Sequence, residues 1–243
     1  MEKRLMLIVN PAAGRGGYKV NFAEALHTLD LGGYRTTLFF TSGRGDATEF
    51  AARHAANFDT VACIGGDGTL SEVLAGLMQL DSPPPVGYMP MGTANDVATT
   101  LGLPKNDTVG AARRIVHGTA HPFDVGGFGD DKYFAYIAAF GAFTEVSYAT
   151  PQDQKKRLGH LAYVLQGAQQ LGKIESYNTR VEYDCGVVEA DLLYGSMSNS
   201  YSVAGLIDLP RDEIKLGDGL HELVLVKKLP NAAAMATLAA KVL

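Results

Sequence analysis

The first half of the chain alternates short, wholly apolar runs with longer segments whose apolar residues recur at helical spacing. Leu5–Val9 is unbroken and predicts a buried strand; it ends in the loop Asn10-Pro11-Ala12-Ala13-Gly14-Arg15-Gly16-Gly17. Between Val20 and Leu31, Phe22, Ala25, Leu26 and Leu29 share one helical face, and Gly32-Gly33 stops the helix. Thr36–Phe40 is β-branched and aromatic, hence a strand. Asp46 is placed to cap a helix running through His54. Thr60–Ile64 predicts another buried strand, followed at once by Gly65-Gly66-Asp67-Gly68-Thr69 and a helix over Leu70–Leu80, with Pro83-Pro84-Pro85 closing the unit. Val86–Met89 reads as a strand, Met91–Asp96 leads into a short helix, and a further helix covers Thr108–His117. Such alternation predicts an α/β fold, a parallel sheet covered by helices on both faces.

The pattern changes near Asp124. The apolar segments become short and strand-like, at Tyr133–Ala139, Thr179–Tyr183, Glu189–Ser196 and Glu222–Val226, with Gly and Asp turns between them. A helix over about Lys155–Leu171 interrupts them. Two domains are expected: an α/β domain over 1–123, and a mostly antiparallel β domain over 124–243. Asn231–Leu243 is Ala-rich and helical in pattern and carries no stop signal, so a helix cut short is expected there.

Composition narrows the classes. The 243 residues are 47% hydrophobic and 19% charged, ordinary for a globular protein and incompatible with general disorder. Lys+Arg number 21 against 26 Asp+Glu, a net charge of −5, which argues against a nucleic-acid partner. Two cysteines, Cys63 and Cys185, make neither a disulfide framework nor a zinc site. No stretch has the length of a membrane span and no secretory signal opens the chain. A cytoplasmic protein is expected, free to rest on a membrane surface.

The strongest chemical signal is Gly65-Gly66-Asp67-Gly68-Thr69 between a buried strand and a helix. Glycines let backbone N–H groups approach phosphate oxygens, and the helix start adds its positive dipole end. Asp67 against phosphate calls for Mg²⁺ between them. The plain alternative is an ordinary strand-to-helix turn. Two familiar fingerprints fail: Ser71 stands where a dinucleotide loop needs its last glycine, and Gly167-x₄-Gly172-Lys173 is followed by Ile174 where a Walker A loop needs Ser or Thr. Asn10–Gly14, Thr41-Ser42-Gly43 and Met91–Asp96 follow the other parallel strands, so all four loops are expected at the carboxyl edge of the sheet, where ligands bind. Singly, Asn10 and Thr41 read equally well as helix caps.

Asn10-Pro11-Ala12-Ala13-Gly14, Gly66-Asp67-Gly68-Thr69-Leu70-Ser71-Glu72 and Pro90-Met91-Gly92-Thr93-Ala94-Asn95-Asp96 resemble the three signature stretches of the diacylglycerol kinase catalytic domain, with the likeness nearest to the soluble bacterial members. Gly45-Asp46-Ala47-Thr48, Asp124-Val125-Gly126 and Lys215-Leu216-Gly217-Asp218-Gly219 fit in order and spacing. The Gly-Gly-Asp-Gly-Thr stretch is shared with NAD kinases and phosphofructokinase relatives; the Met91–Asp96 loop is not.

The resemblance implies a NAD kinase- and phosphofructokinase-like α/β nucleotide domain, an antiparallel β-sandwich domain for lipid, and phosphorylation of diacylglycerol to phosphatidic acid by ATP with Mg²⁺. It implies a nucleotide site at Asn10, Pro11, Ala12, Ala13, Gly14, Thr41, Gly66, Asp67, Gly68, Thr69, Leu70, Ser71, Glu72 and Thr93. It implies a catalytic Asp network around Mg²⁺ at Asp67, Asp96 and Asp124, and a structural Mg²⁺ at Lys215, Asp218 and Leu220, held by backbone carbonyls where the side chain cannot ligate. It implies peripheral association with the inner face of the plasma membrane, and leaves a homodimer open. Lys155-Lys156-Arg157 beside Leu158, Leu161, Val164 and Leu165 reads first as a solvated charge run before a core helix, and it also suits an anionic membrane surface. The family's proton acceptor lies in an Asp-Gly-Glu stretch that this chain does not contain, so a fragment is expected, with a non-catalytic nucleotide-binding remnant as the alternative. Within the enzyme class, a kinase for another lipid alcohol (a sphingoid base or phosphatidylglycerol) is the alternative.

Overall fold

The computed structural model describes residues 2–14, 21–129, 132–141, 175–203, 207–208 and 210–228. The helices expected over Lys155–Leu171, with the basic Lys155-Lys156-Arg157 stretch, and over Asn231–Leu243 lie outside the described residues. The chain divides into two compact units, Met1–Tyr136 with Lys215–Leu220, and Ile137–Ile214 with His221–Leu243. The segments 124–136 and 215–220, expected in the second domain, thus pack with the first unit.

In the first unit the order is β1 (Lys3–Val9), α1 (Phe22–Leu31), β2 (Tyr34–Phe40), α2 (Asp46–His54), a 3-10 turn at Ala55–Asn57, β3 (Thr60–Gly65), α3 (Asp67–Leu77), β4 (Val86–Pro90), α4 (Asp96–Thr100), α5 (Thr108–His117) and a small antiparallel hairpin of β5 (Gly126–Phe128) and β6 (Lys132–Phe134). The four long strands are parallel in the order β2-β1-β3-β4. Strand alternation sorts the apolar run of β1 onto two faces. Leu5, Leu7 and Val9 join Ala62 and Ile64 under α1 and α5, packing on Ala25, Leu29, Val109, Ala111 and Ala112. Met6 and Ile8 join Val61 and Cys63 under α2, α3 and α4, packing on Ala51, Val73, Leu77 and Val97. Both faces are covered, which is why β1 and β3 carry no polar alternation. Each Leu, Ile, Val or Met side chain among them contributes about 1.5–3 kcal/mol when removed from water.

Strand order places the functional edge. From β1 the chain crosses to β2 on one side, and from β3 to β4 on the other. Right-handed crossovers then put α1 and α3 on opposite faces. Between β1 and β3 the connections diverge, and the loops at their carboxyl ends leave a crevice.

The second unit contains an antiparallel sheet of β12 (Glu222–Lys227), β9 (Gly186–Ser198) and β7 (Ile137–Gly141), with β8 (Tyr177–Tyr183) paired to the first half of β9, and a short hairpin of β10 (Ser202–Val203) and β11 (Ile207–Asp208). The antiparallel sheet expected there is present; a facing layer of the expected sandwich is not among the described residues. The single strand expected over Tyr133–Ala139 is two strands, β6 and β7. At the break, Ala135 and Tyr136 turn into the first unit's core beside Met6 and Ile8, and burying them there ends the ladder.

Candidate nucleotide and cation site

Three backbone hydrogen bonds carry the parallel ladder just past the strand ends and start the loops together. Thr41 N donates to Val9 O at 2.9 Å, Asn10 N to Ile64 O at 2.9 Å and Met91 N to Gly65 O at 2.7 Å. Asn10 then ties two loops with its side chain: Nδ2 donates to Thr69 Oγ1 at 2.9 Å, and Oδ1 accepts from Ala12 N at 3.0 Å. Close approach requires glycine at two points. Gly14 has φ +55°, and a Cβ there would lie 2.3 Å from Met91 O. A Cβ on Gly92 would lie 2.4 Å from Gly66 Cα.

The convergent loops enclose a cleft of about 670 Å³, lined by Asn10–Gly14, Thr41–Arg44, Gly66, Gly68, Thr69, Glu72, Gly92 and Thr93. The structure therefore brings together Asn10, Pro11, Ala12, Ala13, Gly14, Thr41, Gly66, Gly68, Thr69, Glu72 and Thr93 of the expected nucleotide set. Leu70, Ser71 and Asp67 are not in the lining; Leu70 is only 4% exposed and packs in the core. The reason lies in the helix start. α3 begins at Asp67 rather than Leu70, with Gly66 as N-cap, so Leu70 already faces inward on the first turn.

Ser42, Gly43, Arg44 and Gly92 also line the cleft; Ser42, Gly43 and Gly92 lie in loops expected at this edge, but none of the four is in the nucleotide set the resemblance implies. Asp46 explains the first three. It does not cap α2, whose N-cap is Gly45 at φ +91°. Its Oδ2 instead accepts from Ser42 N at 2.6 Å and Gly43 N at 3.0 Å, closing the turn that presents Arg44. The signal in the sequence was an Asp four residues after a Ser-Gly turn.

Asp67 faces α4. Its Oδ2 accepts from Asp96 N at 2.9 Å and its Oδ1 from Val97 N at 3.2 Å, capping that helix from outside its own chain segment. Tyr88, 6% exposed, brings its hydroxyl 3.4 Å from the same Oδ1. Burial and the neighbouring Asp67 carboxylate push the Tyr88 hydroxyl well above its usual range, so it stays protonated. The half-buried Asp96 carboxyl is raised above its ordinary 3.8, chiefly by burial and then by the Asp67 charge, while Lys105 opposes the shift. Asp67 and Asp96 are thus neighbouring acids at the starts of α3 and α4, and carboxylate oxygens are the donors that a hard divalent cation takes. Burial pushes the Cys63 thiol up to about 12, leaving it an inert packing group.

Asp124 does not complete this pair. Among the described residues no three His, Cys, Asp or Glu side chains gather closely enough to hold a metal ion. Asp124 Oδ2 accepts from Gly219 N at 2.8 Å, and its own N donates to Leu216 O at 2.7 Å. In that same turn Asp218 Oδ1 accepts from Leu220 N at 3.1 Å, and Lys215 and Leu220 are exposed.

Comparison with known proteins agrees with this geometry. The family model of the diacylglycerol kinase catalytic domain matches residues 4–128. Over 228 residues the chain is 38% identical to a diacylglycerol kinase of Bacillus subtilis (strain 168), covering 93% of this chain and 74% of that one. It is 37% identical over 229 residues to a diacylglycerol kinase of Staphylococcus aureus (strain MRSA252), covering 94% and 72%. A crystal structure of a diacylglycerol kinase from Bacillus anthracis str. Sterne matches with a TM-score of 0.75 at 26% identity, over 98% of this chain and 78% of that one. With the family model over half of its length and 37–38% identity to these relatives over most of it, the chain belongs to the diacylglycerol kinase family.

Proposed function

We propose that the protein transfers the γ-phosphoryl group of ATP to diacylglycerol at the inner surface of a membrane. The observation that carries this reading is the cleft formed where the Asn10–Gly14, Gly66–Thr69 and Gly92–Thr93 loops meet at the switch point of the parallel sheet. Phosphoryl transfer is chiefly positioning and charge stabilisation, and these loops supply both through backbone N–H groups and the α3 N-terminus. Arg44 adds a fixed positive charge to the same wall.

Asp67 and Asp96 would hold Mg²⁺, which neutralises charge on the phosphate oxygens when bound. Asp67 is held in place by accepting from Asp96 N, Val97 N and the Tyr88 hydroxyl. The Lys215–Leu220 turn is assigned a second, structural cation, with the Asp218 carboxylate and the carbonyls of Lys215 and Leu220 as donors; Asp124 braces that turn from below. The lipid is assigned to the second unit, since the first unit's convergent loops are taken up by nucleotide. Among the described residues no helix is long and apolar enough to cross a membrane, and the proposed association is peripheral.

The test is transfer of labelled γ-phosphate to dioleoylglycerol in mixed vesicles, with sphingoid base and phosphatidylglycerol as competing acceptors. Label in phosphatidic acid, dependent on Mg²⁺, is the expected result. Label only in another lipid alcohol moves the acceptor, and no Mg-ATP binding at all overturns the reading.

A further inference from the structure

Tyr88 stands outside the nucleotide cleft yet touches the residues that shape it. It lies on β4 opposite Cys63 of β3, with its ring buried in the core beneath α3 and α4. Its hydroxyl is 3.4 Å from Asp67 Oδ1 and 3.4 Å from Asn95 Oδ1. Asn95 is itself 1% exposed and held at φ +54°. Its Oδ1 accepts from Gly92 N at 2.8 Å and its Nδ2 donates to Gly92 O at 2.8 Å. One hydroxyl therefore faces the acid of the β3–α3 loop and the amide that closes the β4–α4 loop. A buried tyrosine hydroxyl takes a partner where one is in reach, and here both acceptors belong to loops of the cleft.

We infer that Tyr88 is a positioning residue, its hydroxyl holding the Asp67 carboxylate and the Asn95 turn in fixed relation so that the two loops present one surface to the phosphates. The inference rests on the proposed role of Asp67 at those phosphates. The hydroxyl's single proton is shared between the two acceptors, and both contacts are long for O–H···O, so each is weak alone; their value lies in joining two segments, since among the described residues no other side chain donates to both acceptors. Asp67 and Asn95 also accept from backbone N–H groups, so removing the hydroxyl orphans no acceptor. Tyr88→Phe thus keeps the ring's packing and deletes only the link. The ring does not line the cleft, so nucleotide contacts stay intact.

The experiment compares wild type, Tyr88→Phe, Asp67→Asn and the double variant. For Tyr88→Phe, kcat is expected to fall about tenfold, within the range that small misplacements cost, with KM for ATP changed less than twofold. Amide exchange at Asp96 and Val97, whose N–H groups bond to Asp67, is expected to quicken in Tyr88→Phe, a readout that needs no turnover. In the Asp67→Asn background, adding Tyr88→Phe is expected to change kcat less than twofold. Unchanged kcat and unchanged exchange in Tyr88→Phe, with Asp67→Asn crippled, overturn this inference and leave the site reading standing. Additive losses in the double variant also overturn it. Full activity of Asp67→Asn overturns the role of Asp67 and this inference with it.

Discussion

Asp67 and Asp124 perform the same local task in different surroundings. Each carboxylate accepts backbone N–H groups from a segment distant in sequence: Asp67 from Asp96 and Val97, Asp124 from Gly219. Asp67 does so beside a second, half-buried acid whose pKa is raised by burial and then by the Asp67 charge, at the edge of a glycine-lined cleft. Asp124 does so against an exposed turn that carries Asp218. The same kind of hydrogen bond thus holds the start of α4 beside the cleft in one place and an exposed turn in the other. The acid with the raised pKa, Asp96, stands with Asp67 beside the nucleotide cleft, and perturbed acids collect at functional sites.

The largest effect expected from this contrast is on turnover. Asp67→Asn should lower kcat by about 10²–10³, far more than its loss of thermal stability accounts for. Asp124→Ala should lower stability by about 1 kcal/mol, the worth of one hydrogen bond, and quicken amide exchange at Gly219. Steady-state kinetics and thermal melts on both variants check the pair. Equal Tm losses with equal kcat losses would erase the distinction.

Next comes Arg44→Ala. Losing a charge-assisted contact to phosphate should weaken ATP binding about tenfold or more. Arg44→Lys should recover only part, because a point charge replaces a planar fork. Calorimetric titration of ATP reads both. Unaltered affinity would remove Arg44 from the nucleotide site.

The smallest effect concerns Asp96. Its folded-state pKa is raised, so its contribution to stability is present at low pH and lost as pH rises through that value. Asp96→Asn should therefore raise the Tm of the nucleotide-free protein slightly at pH 7. The gain should shrink as pH falls towards the ordinary carboxyl value of 3.8. A gain that stays constant across that range would show that Asp96 is not held against a second charge.

The sequence made the parallel sheet and the cleft loops readable because both rest on local rules. β1 and β3 are apolar without alternation because helices cover both faces, and Gly65–Thr69 between strand and helix has few structural explanations. What depends on contacts between distant segments was not readable. Asp46 has the position of a helix cap, and only the fold shows it bonding back to Ser42 and Gly43. Asp124 is grouped with Asp67 and Asp96 only by the family resemblance, and only the placement of the Lys215–Leu220 turn shows which backbone group its carboxylate accepts from. Tyr88 sits in an apolar strand and reads as core; its hydroxyl acquires meaning once β4 is set beside β3 and α4 folds over it. Tyr133–Ala139 reads as one strand because its apolar residues are continuous, whereas Ala135 and Tyr136 are claimed by the first unit's core.

Amide hydrogen exchange with and without Mg-ATP tests the contrast between cleft and turn most directly, because it reports each loop separately. The account predicts slowed exchange across Ala12–Gly14, Ser42–Arg44 and Gly66–Thr69, with no nucleotide-dependent change at Gly217–Leu220. Protection by nucleotide at Gly217–Leu220 with none at Gly66–Thr69 would contradict it.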